Sequence, residues 1–174
     1  MINPVLESLK TRRSCRKYEP RQITKEELDA VLEAGTWAPT AMGTQNPLIV
    51  VVQDPETIAK IERLNGGVMG NPDGHPFYGA PTLLIVFADS SRGTFVEDGS
   101  LVMGNLLNAA HAAGLGSCWV HRAREVFDSE EGKAMMKAWG VPESYKGIGN
   151  CILGYPVEEA PAKPRKEGYV IYAK

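Results

Sequence analysis

Apolar residues recur along this chain at two spacings, one helical and one continuous. Val5, Leu6 and Leu9 share a face of a helix that opens at Asn3-Pro4, an N-cap followed by proline at the first helical position, and ends near Thr11–Arg13. Leu28, Val31 and Leu32 form the core stripe of a second helix. Thr24 caps it, Glu27 completes a capping box, Ile23 staples onto Leu28 and Gly35 is the stop. Asp54-Pro55 opens a third helix, with Ile58, Ile61 and Leu64 at helical spacing. A fourth, rich in small residues, runs from Phe95 to Ala113 and ends at Gly114, and another lies between Ser129 and Trp139. The runs Leu48–Val52, Thr82–Phe87, Ser117–Val120 and Ile148–Leu153 read as strands, the first of them buried.

The segments between are loops. Trp37–Pro47 carries Pro39, Gly43 and Asn46-Pro47, and Asn65–Gly79 holds five glycines and two prolines, a long surface loop of the kind that serves as a lid. No Asn-Gly or Asp-Gly hairpin joins two strands, no repeat recurs and no linker divides two cores. Strands alternating with helices predict an α+β fold in three layers, α/β/α. Residues 1–174 read as one unit, with 156–174 as an extended C-terminal tail.

Composition narrows the function. The chain has 174 residues, 43% hydrophobic and 23% charged, which excludes disordered, collagen-like and low-complexity classes. A formal charge of −2 gives no global pull toward nucleic acid or anionic lipid. The apolar runs fall far short of the roughly 18 residues of a membrane span, and the first residues do not resemble a signal peptide. Three cysteines, Cys15, Cys118 and Cys151, form no regular framework and favour a reducing compartment. The expectation is a cytoplasmic protein.

Candidate chemistry lies in local clusters. Arg12-Arg13-Ser14-Cys15-Arg16 sets three guanidiniums within five residues. They either complement the dipole of the preceding helix and remain in water or, on an extended chain, converge with Ser14 on an anion. Lys163-Pro164-Arg165 repeats the theme, as a solubilising tail or as a second arm of a phosphate clamp. The loop Pro39, Thr40, Ala41, Gly43, Gln45 offers hydroxyl, amide and small groups to a polar heterocycle, although turn chemistry has the same composition. Gly114-Leu115-Gly116-Ser117-Cys118-Trp119 is a helix stop or a place where backbone approaches a ligand. Dinucleotide, phosphate-loop, nucleophile-elbow and zinc-helix motifs are absent, and Cys118-x-x-His121 has no second ligand pair, so no metal is expected. His111 reads as a cap or packing residue, and Cys15 and Cys151 as small buried hydrophobes.

Taken in order, these clusters resemble the nitroreductase family of FMN-dependent oxidoreductases, in its short branch. The likeness rests on Arg12-Arg13-Ser14-x-Arg16, Ala38-Pro39-Thr40 with Gln45, His111-x-x-Gly114-Leu115-Gly116-Ser117-Cys118-Trp119, Leu153-Gly154-Tyr155-Pro156 and Lys163-x-Arg165. The resemblance implies a mixed four- or five-stranded sheet wrapped by helices, and an intertwined homodimer with non-covalent FMN at its interface. By motif, Arg12, Ser14 and Arg16 meet the phosphate, ribityl chain and pyrimidine edge, beside Arg13. Lys163 and Arg165 add to the phosphate side. Pro39, Thr40 and Ala41 come from the partner subunit, with Gly43 and Gln45 in the same loop. Gly116, Ser117, Cys118, Trp119, Val120 and His121 run along the ring, with backbone near Val120–His121 facing N5. Two positions depart from the family: Gly43 stands where asparagine is frequent, and His121 where longer members are acidic. The implied activity is ping-pong transfer from NAD(P)H through the flavin to a nitroaromatic, quinone or similar small-molecule electrophile, with no side chain as catalyst. The alternatives are a flavin storage or sensor module, or a different flavin chemistry such as dehalogenation, ring fragmentation or azoline oxidation.

Overall fold

Helix starts follow the capping chemistry of the sequence. In α1 (Pro4–Thr11) Asn3 Oδ1 accepts from the N–H groups of Val5 at 2.9 Å and Leu6 at 3.3 Å. In α2 (Lys25–Thr36) the capping box is complete: Glu27 N–H donates to Thr24 Oγ1 at 3.2 Å, and Thr24 N–H to Glu27 Oε2 at 2.8 Å. Asp54 accepts from Thr57 N–H at 2.8 Å to start α3 (Pro55–Val68). The small-residue helix is α4 (Phe95–Ala112), and α5 (Ala123–Asp128) is followed at once by α6 (Glu130–Ala138), capped by Ser129. These elements come from a computed structural model that describes residues 3–173; Met1, Ile2 and Lys174, at the ends of the expected 1–174 unit, lie outside the described residues.

Four strands, β1 (Leu48–Val52), β2 (Thr82–Asp89), β3 (Gly116–Val120) and β4 (Tyr145–Gly154), form one sheet in the order β1-β2-β4-β3. All three neighbouring pairs are antiparallel. The parallel component of the expected mixed sheet is a single bridge between Ser14 and Ser117. β2 is buried from Thr82 to Ala88 because helices cover both its faces. Leu83, Ile85 and Phe87 meet Ile61 of α3, Phe127 of α5 and Met136 of α6, whereas Leu84 and Val86 meet Val31 of α2 and Met103 and Leu106 of α4. The architecture is therefore the expected three layers. Among the described residues no helix is long and apolar enough to cross a membrane.

Several local expectations are corrected. β1 is an edge strand with only Val52 buried, not a buried strand, because nothing pairs beyond it. Gly35 does not stop α2. It lies inside the last turn, buried, where an added Cβ would stand 2.6 Å from Leu106 Cδ2, so its role is close helix packing. Asn65–Val68, assigned to the glycine-rich loop, are the last residues of α3, and Phe77 of that segment is buried in the core. The short α5 was absent from the expected elements: it has no side-chain cap and is too short to show a period. The segment after β4 is tied back to α2, since Tyr155 donates its hydroxyl to Glu27 Oε2 at 2.6 Å while Arg21 lies 3.5 Å over its ring.

Two measurements check this packing. A Cβ at Gly132 would stand 2.1 Å from the carbonyl oxygen of Val126 and 2.6 Å from Phe127 Cα, backbone atoms that cannot yield. Gly132→Ala should lower the urea-unfolding free energy by about 3 kcal/mol, the upper range for an overpacked core. The Tyr155 hydroxyl, followed by the Thr24 N–H, holds the Glu27 carboxylate below its usual range. That contact stabilises fully above about pH 4.3 and is lost as pH falls through the lower folded value. The melting-temperature gap between the native protein and Glu27→Gln should therefore narrow between pH 6 and pH 3, as read by circular dichroism at about unit steps.

Candidate functional site

Beyond α1 the chain is extended at Arg12 (φ −53, ψ 134) and runs as a seam between β3 and the tail. Cys15 N–H donates to Ser117 O at 2.9 Å, Val157 N–H to Lys17 O at 3.1 Å and Glu19 N–H to Tyr155 O at 2.9 Å. Alternation along this seam separates the cluster. Cys15 turns into the core and touches Gly116, where a Cβ would stand 2.8 Å from its sulfur. Arg13 folds back, donating from Nη1 to the carbonyls of Lys10 and Arg12 at 2.7 Å each, and so closes the end of α1. Arg16 is exposed and Ser14 half-buried.

Arg12 is the anomaly. Its Nη1 is buried and has no hydrogen-bond partner in the protein. Burial pushes the Cys151 thiol up to about 12 in spite of the nearby Arg12 charge, so that sulfur is neutral packing. None of Arg12, Arg13 and Arg16 forms an ion pair among the described residues. A buried guanidinium N–H without an acceptor costs upward of about 1–3 kcal/mol, which an anion beside it would recover.

A cleft of about 520 Å³ opens beside this seam, and Arg13, Ser14, His111, Gly116 and the tail from Glu158 to Ala162 line it. His111 Nε2 lies 2.8 Å from Thr11 Oγ1 and ties α1 to α4, the packing role expected of it. Lys163 and Arg165 lie just past the cleft, both exposed, with Arg165 Nη2 donating to the Lys163 carbonyl at 2.7 Å. The structure thus gathers Arg13, Ser14 and Gly116 in one chain but leaves Arg16, Lys163 and Arg165 in solvent.

The loop of Pro39, Thr40, Ala41, Gly43 and Gln45 lies elsewhere. Thr40 and Gln45 line a separate cleft of about 370 Å³ between α2 and β1. The loop is built rather than slack. Ala41 N–H donates to the Asp98 carboxylate at 2.9 Å, and Gln45 N–H to Thr40 Oγ1 at 3.0 Å. Met42 at its tip is left-handed (φ 56) and 95% exposed. The loop leads into β1 and the arginine seam adjoins β3, the two opposite edges of the sheet. Three strand spacings, roughly 14 Å, separate those edges.

The stretch Gly116–His121 divides by face. Ser117 and Trp119 belong to the α4 side, and Cys118 and Val120 to the α3 side. Side chains of all six residues cannot line one ligand, although their backbone can. Gly149 allows Trp119 to pack, since a Cβ there would stand 2.4 Å from the indole Nε1. After β3, His121 O accepts from Asn65 Nδ2 at 2.8 Å, and Arg122 is left-handed (φ 82, ψ 9), a conformation costing a non-glycine residue about 1–2 kcal/mol.

Asp98, Asn65 and Asn150 were not singled out from the sequence, yet each is a buried polar group next to these segments. The available signal was a polar residue at a core position: Asn65 continues the Ile58, Ile61 stripe of α3, and Asn150 interrupts the apolar run of β4. Both amide atoms of Asn150 and the Asn65 Oδ1 lack partners.

Comparison with known proteins identifies the family of the chain. The sequence model described as the nitroreductase family matches residues 9–74 and 69–155. A protein of Methanothermobacter thermautotrophicus, provisionally named NADH dehydrogenase/NAD(P)H nitroreductase, is 35% identical over 158 residues, covering 88% of this chain and 78% of that one. The crystal structure of a nitroreductase with bound FMN from Bacteroides fragilis superimposes with a TM-score of 0.91 at 29% identity, over 99% of this chain and 100% of the other. An iodotyrosine deiodinase bound to FMN and 3-iodo-L-tyrosine superimposes with a TM-score of 0.76 at 26% identity, over 98% and 99% of the two chains. With a family match spanning most of its length and a relative this similar, the chain belongs to the nitroreductase family.

Proposed function

We propose that this protein is an FMN-dependent oxidoreductase that draws electrons from NAD(P)H and delivers them to a nitroaromatic, a quinone or a similar conjugated electrophile. The observation that carries the reading is Nη1 of the half-buried Arg12, itself buried and without a protein partner, on a seam shared with Ser14, a donor set suited to a phosphate ester. Relatives with bound FMN support the choice of anion. When bound, FMN supplies the hydride and electron chemistry of the reaction.

Each segment has a role in this reading. Arg12, Ser14 and Arg16 hold the phosphate, ribityl chain and pyrimidine edge, and positive charge at the last favours the reduced flavin. Lys163 and Arg165, carried by an exposed tail, close on the phosphate side. Backbone around Val120–His121 lies along the ring system. Because the Pro39–Gln45 loop and the arginine seam occupy opposite sheet edges, one chain does not present both to one ligand, and the loop comes from a second copy in a homodimer. Exposed Val5, Leu6 and Leu9 on α1, expected to form an apolar face, give that copy a surface to cover. Three free, buried cysteines support a reducing compartment, the cytoplasm. The likeness to a deiodinase favours reductive dehalogenation as the second reading of the acceptor. Anaerobic mixing with NADH or NADPH, followed by nitroaromatic, quinone or halogenated tyrosine, separates the two; a protein that takes up no FMN sinks both.

Arg12→Ala should weaken FMN binding by about 1.5–3 kcal/mol, the worth of a lost charge-assisted bond, as read by fluorescence titration. The shared site has its own test. Ala41→Trp, which fills the loop side, and Arg12→Ala should each impair FMN binding as homodimers. Refolding the two together should restore about a quarter of native-affinity sites, since half the dimers are mixed and each mixed dimer has one intact site. No recovery on mixing would place both halves of the site in one chain.

A further inference from the structure

We infer that Asn65 is a positioning residue for the turn at His121–Arg122, holding a strained backbone in the one orientation that presents a free N–H to the ligand side. This rests on the flavin reading above for the ligand, but the turn itself is a property of the chain. Asn65 is wholly buried on α3, and its Nδ2 donates to the His121 carbonyl at 2.8 Å. The peptide that begins with that carbonyl ends in the N–H of Arg122. A trans peptide is planar, with its C=O and N–H pointing in opposite directions. Fixing the carbonyl toward α3 therefore aims the N–H of the exposed Arg122 away from α3. Among the described residues that N–H donates to no protein acceptor.

The residue so presented is under strain. Arg122 holds φ 82 without being glycine, and the helix it opens, α5, has no side-chain cap to stabilise the entry. Strained backbone of this kind persists only where the surroundings over-determine it. Three contacts do so here: Asn65 on the preceding carbonyl, Val126 N–H donating to the Arg122 carbonyl at 3.0 Å, and the Arg122 guanidinium on Glu125 at 3.1 Å. The last two belong to α5 and travel with it. Of the three, Asn65 alone ties the turn to another helix, α3.

The polar surroundings make Asn65 more than filler. In the β3–β4 register Asn150 stands directly opposite Val120, on the α3 side of the sheet, in a row with Ile85 and Val50 that is otherwise apolar. Two buried carboxamides therefore flank the end of β3, where an all-apolar core would pack at no cost in unsatisfied groups. Of the two, Asn65 fixes orientation through its bond to the His121 carbonyl, whereas neither amide atom of Asn150 has a partner.

The test uses Asn65→Leu, which keeps the shape and removes the donor. Amide hydrogen exchange at Val126, whose N–H is bonded to the Arg122 carbonyl, should accelerate in the flavin-free protein by about two- to tenfold, the loss of one buried hydrogen bond, while exchange in β2 stays as it was. FMN affinity should fall by a similar factor. Adding Arg122→Gly, which adopts the left-handed conformation freely, should recover much of that affinity in the Asn65→Leu protein. If the leucine variant does not fold, Asn65→Asp serves: its carboxyl donates only when protonated, so protection at Val126, taken relative to the intrinsic exchange rate at each pH, should be high at low pH and fall as the group ionises. A lower melting temperature with unchanged exchange at Val126, or no recovery from the glycine, would reduce Asn65 to packing and overturn the inference. If the native protein binds no FMN the flavin reading fails, and the exchange measurement still decides whether Asn65 holds the turn.

Discussion

The ladder between β2 and β4 is the interaction on which the rest of the molecule depends. It runs in antiparallel register from Thr82–Leu153 to Asp89–Tyr145 and is buried on both faces along most of its length. No water reaches these backbone groups, so their hydrogen bonds have no alternative partners. Because β2 and β4 occupy the centre, β1 and β3 become edges, and the Pro39–Gln45 loop and the arginine seam are attached to opposite ones. The distance between the Pro39–Gln45 loop and the arginine seam is thus set by strand order. No loop adjustment within one chain closes a gap of three strands.

The parts of the fold legible in the sequence are those where one local interaction suffices. Thr24 and Glu27 close a capping box whatever lies around them, and Asn3-Pro4 and Asp54-Pro55 start helices for equally local reasons. What the pattern misjudged depends on neighbours. Leu48–Val52 is as apolar as a central strand, and only the absence of a pairing partner leaves it half exposed. Gly35 looks like a terminator, yet the side chain of Leu106 across the helix interface decides its role. Six residues of α5 carry no period, so burial of Ala123, Val126 and Phe127 against the sheet alone makes the helix. The glycines at 66 and 67 suggested a loop, but α3 continues through them because Gly66 packs under Asn71, where a Cβ would stand 2.6 Å from its carbonyl oxygen.

The candidate site divides the same way. Three arginines in five residues are visible as a cluster, and the order of motifs carries the family resemblance across most of the chain. Which arginine is buried could not be read: alternation along the seam sends Cys15 inward and leaves Arg16 in water, and the return of Arg13 onto α1 depends on where that helix ends. Asn65 and Asn150 were legible in principle, as polar residues at core positions. Their meaning lies in a contact across 56 residues of sequence and in a strand register that no local pattern encodes.

Electrostatics sharpen the case for an anionic ligand held by few groups. The chain as a whole carries −2, so a phosphate approaching from bulk meets weak overall repulsion rather than attraction. Selectivity must then come from short-range bonds in a partly desolvated place, where a guanidinium is worth more than on the surface. Arg12 meets that condition because its Nη1 is cut off from water, whereas Arg16, Lys163 and Arg165 are exposed and screened by salt. In the proposed reading the same contrast orders their roles: Arg12 sets affinity, and the exposed cations set how fast and from which side the anion arrives. A site with one partly buried guanidinium and several solvated cations binds tightly only once those cations are covered. In the proposed dimer that cover is the partner's surface, so closure of the interface and retention of the cofactor become one equilibrium.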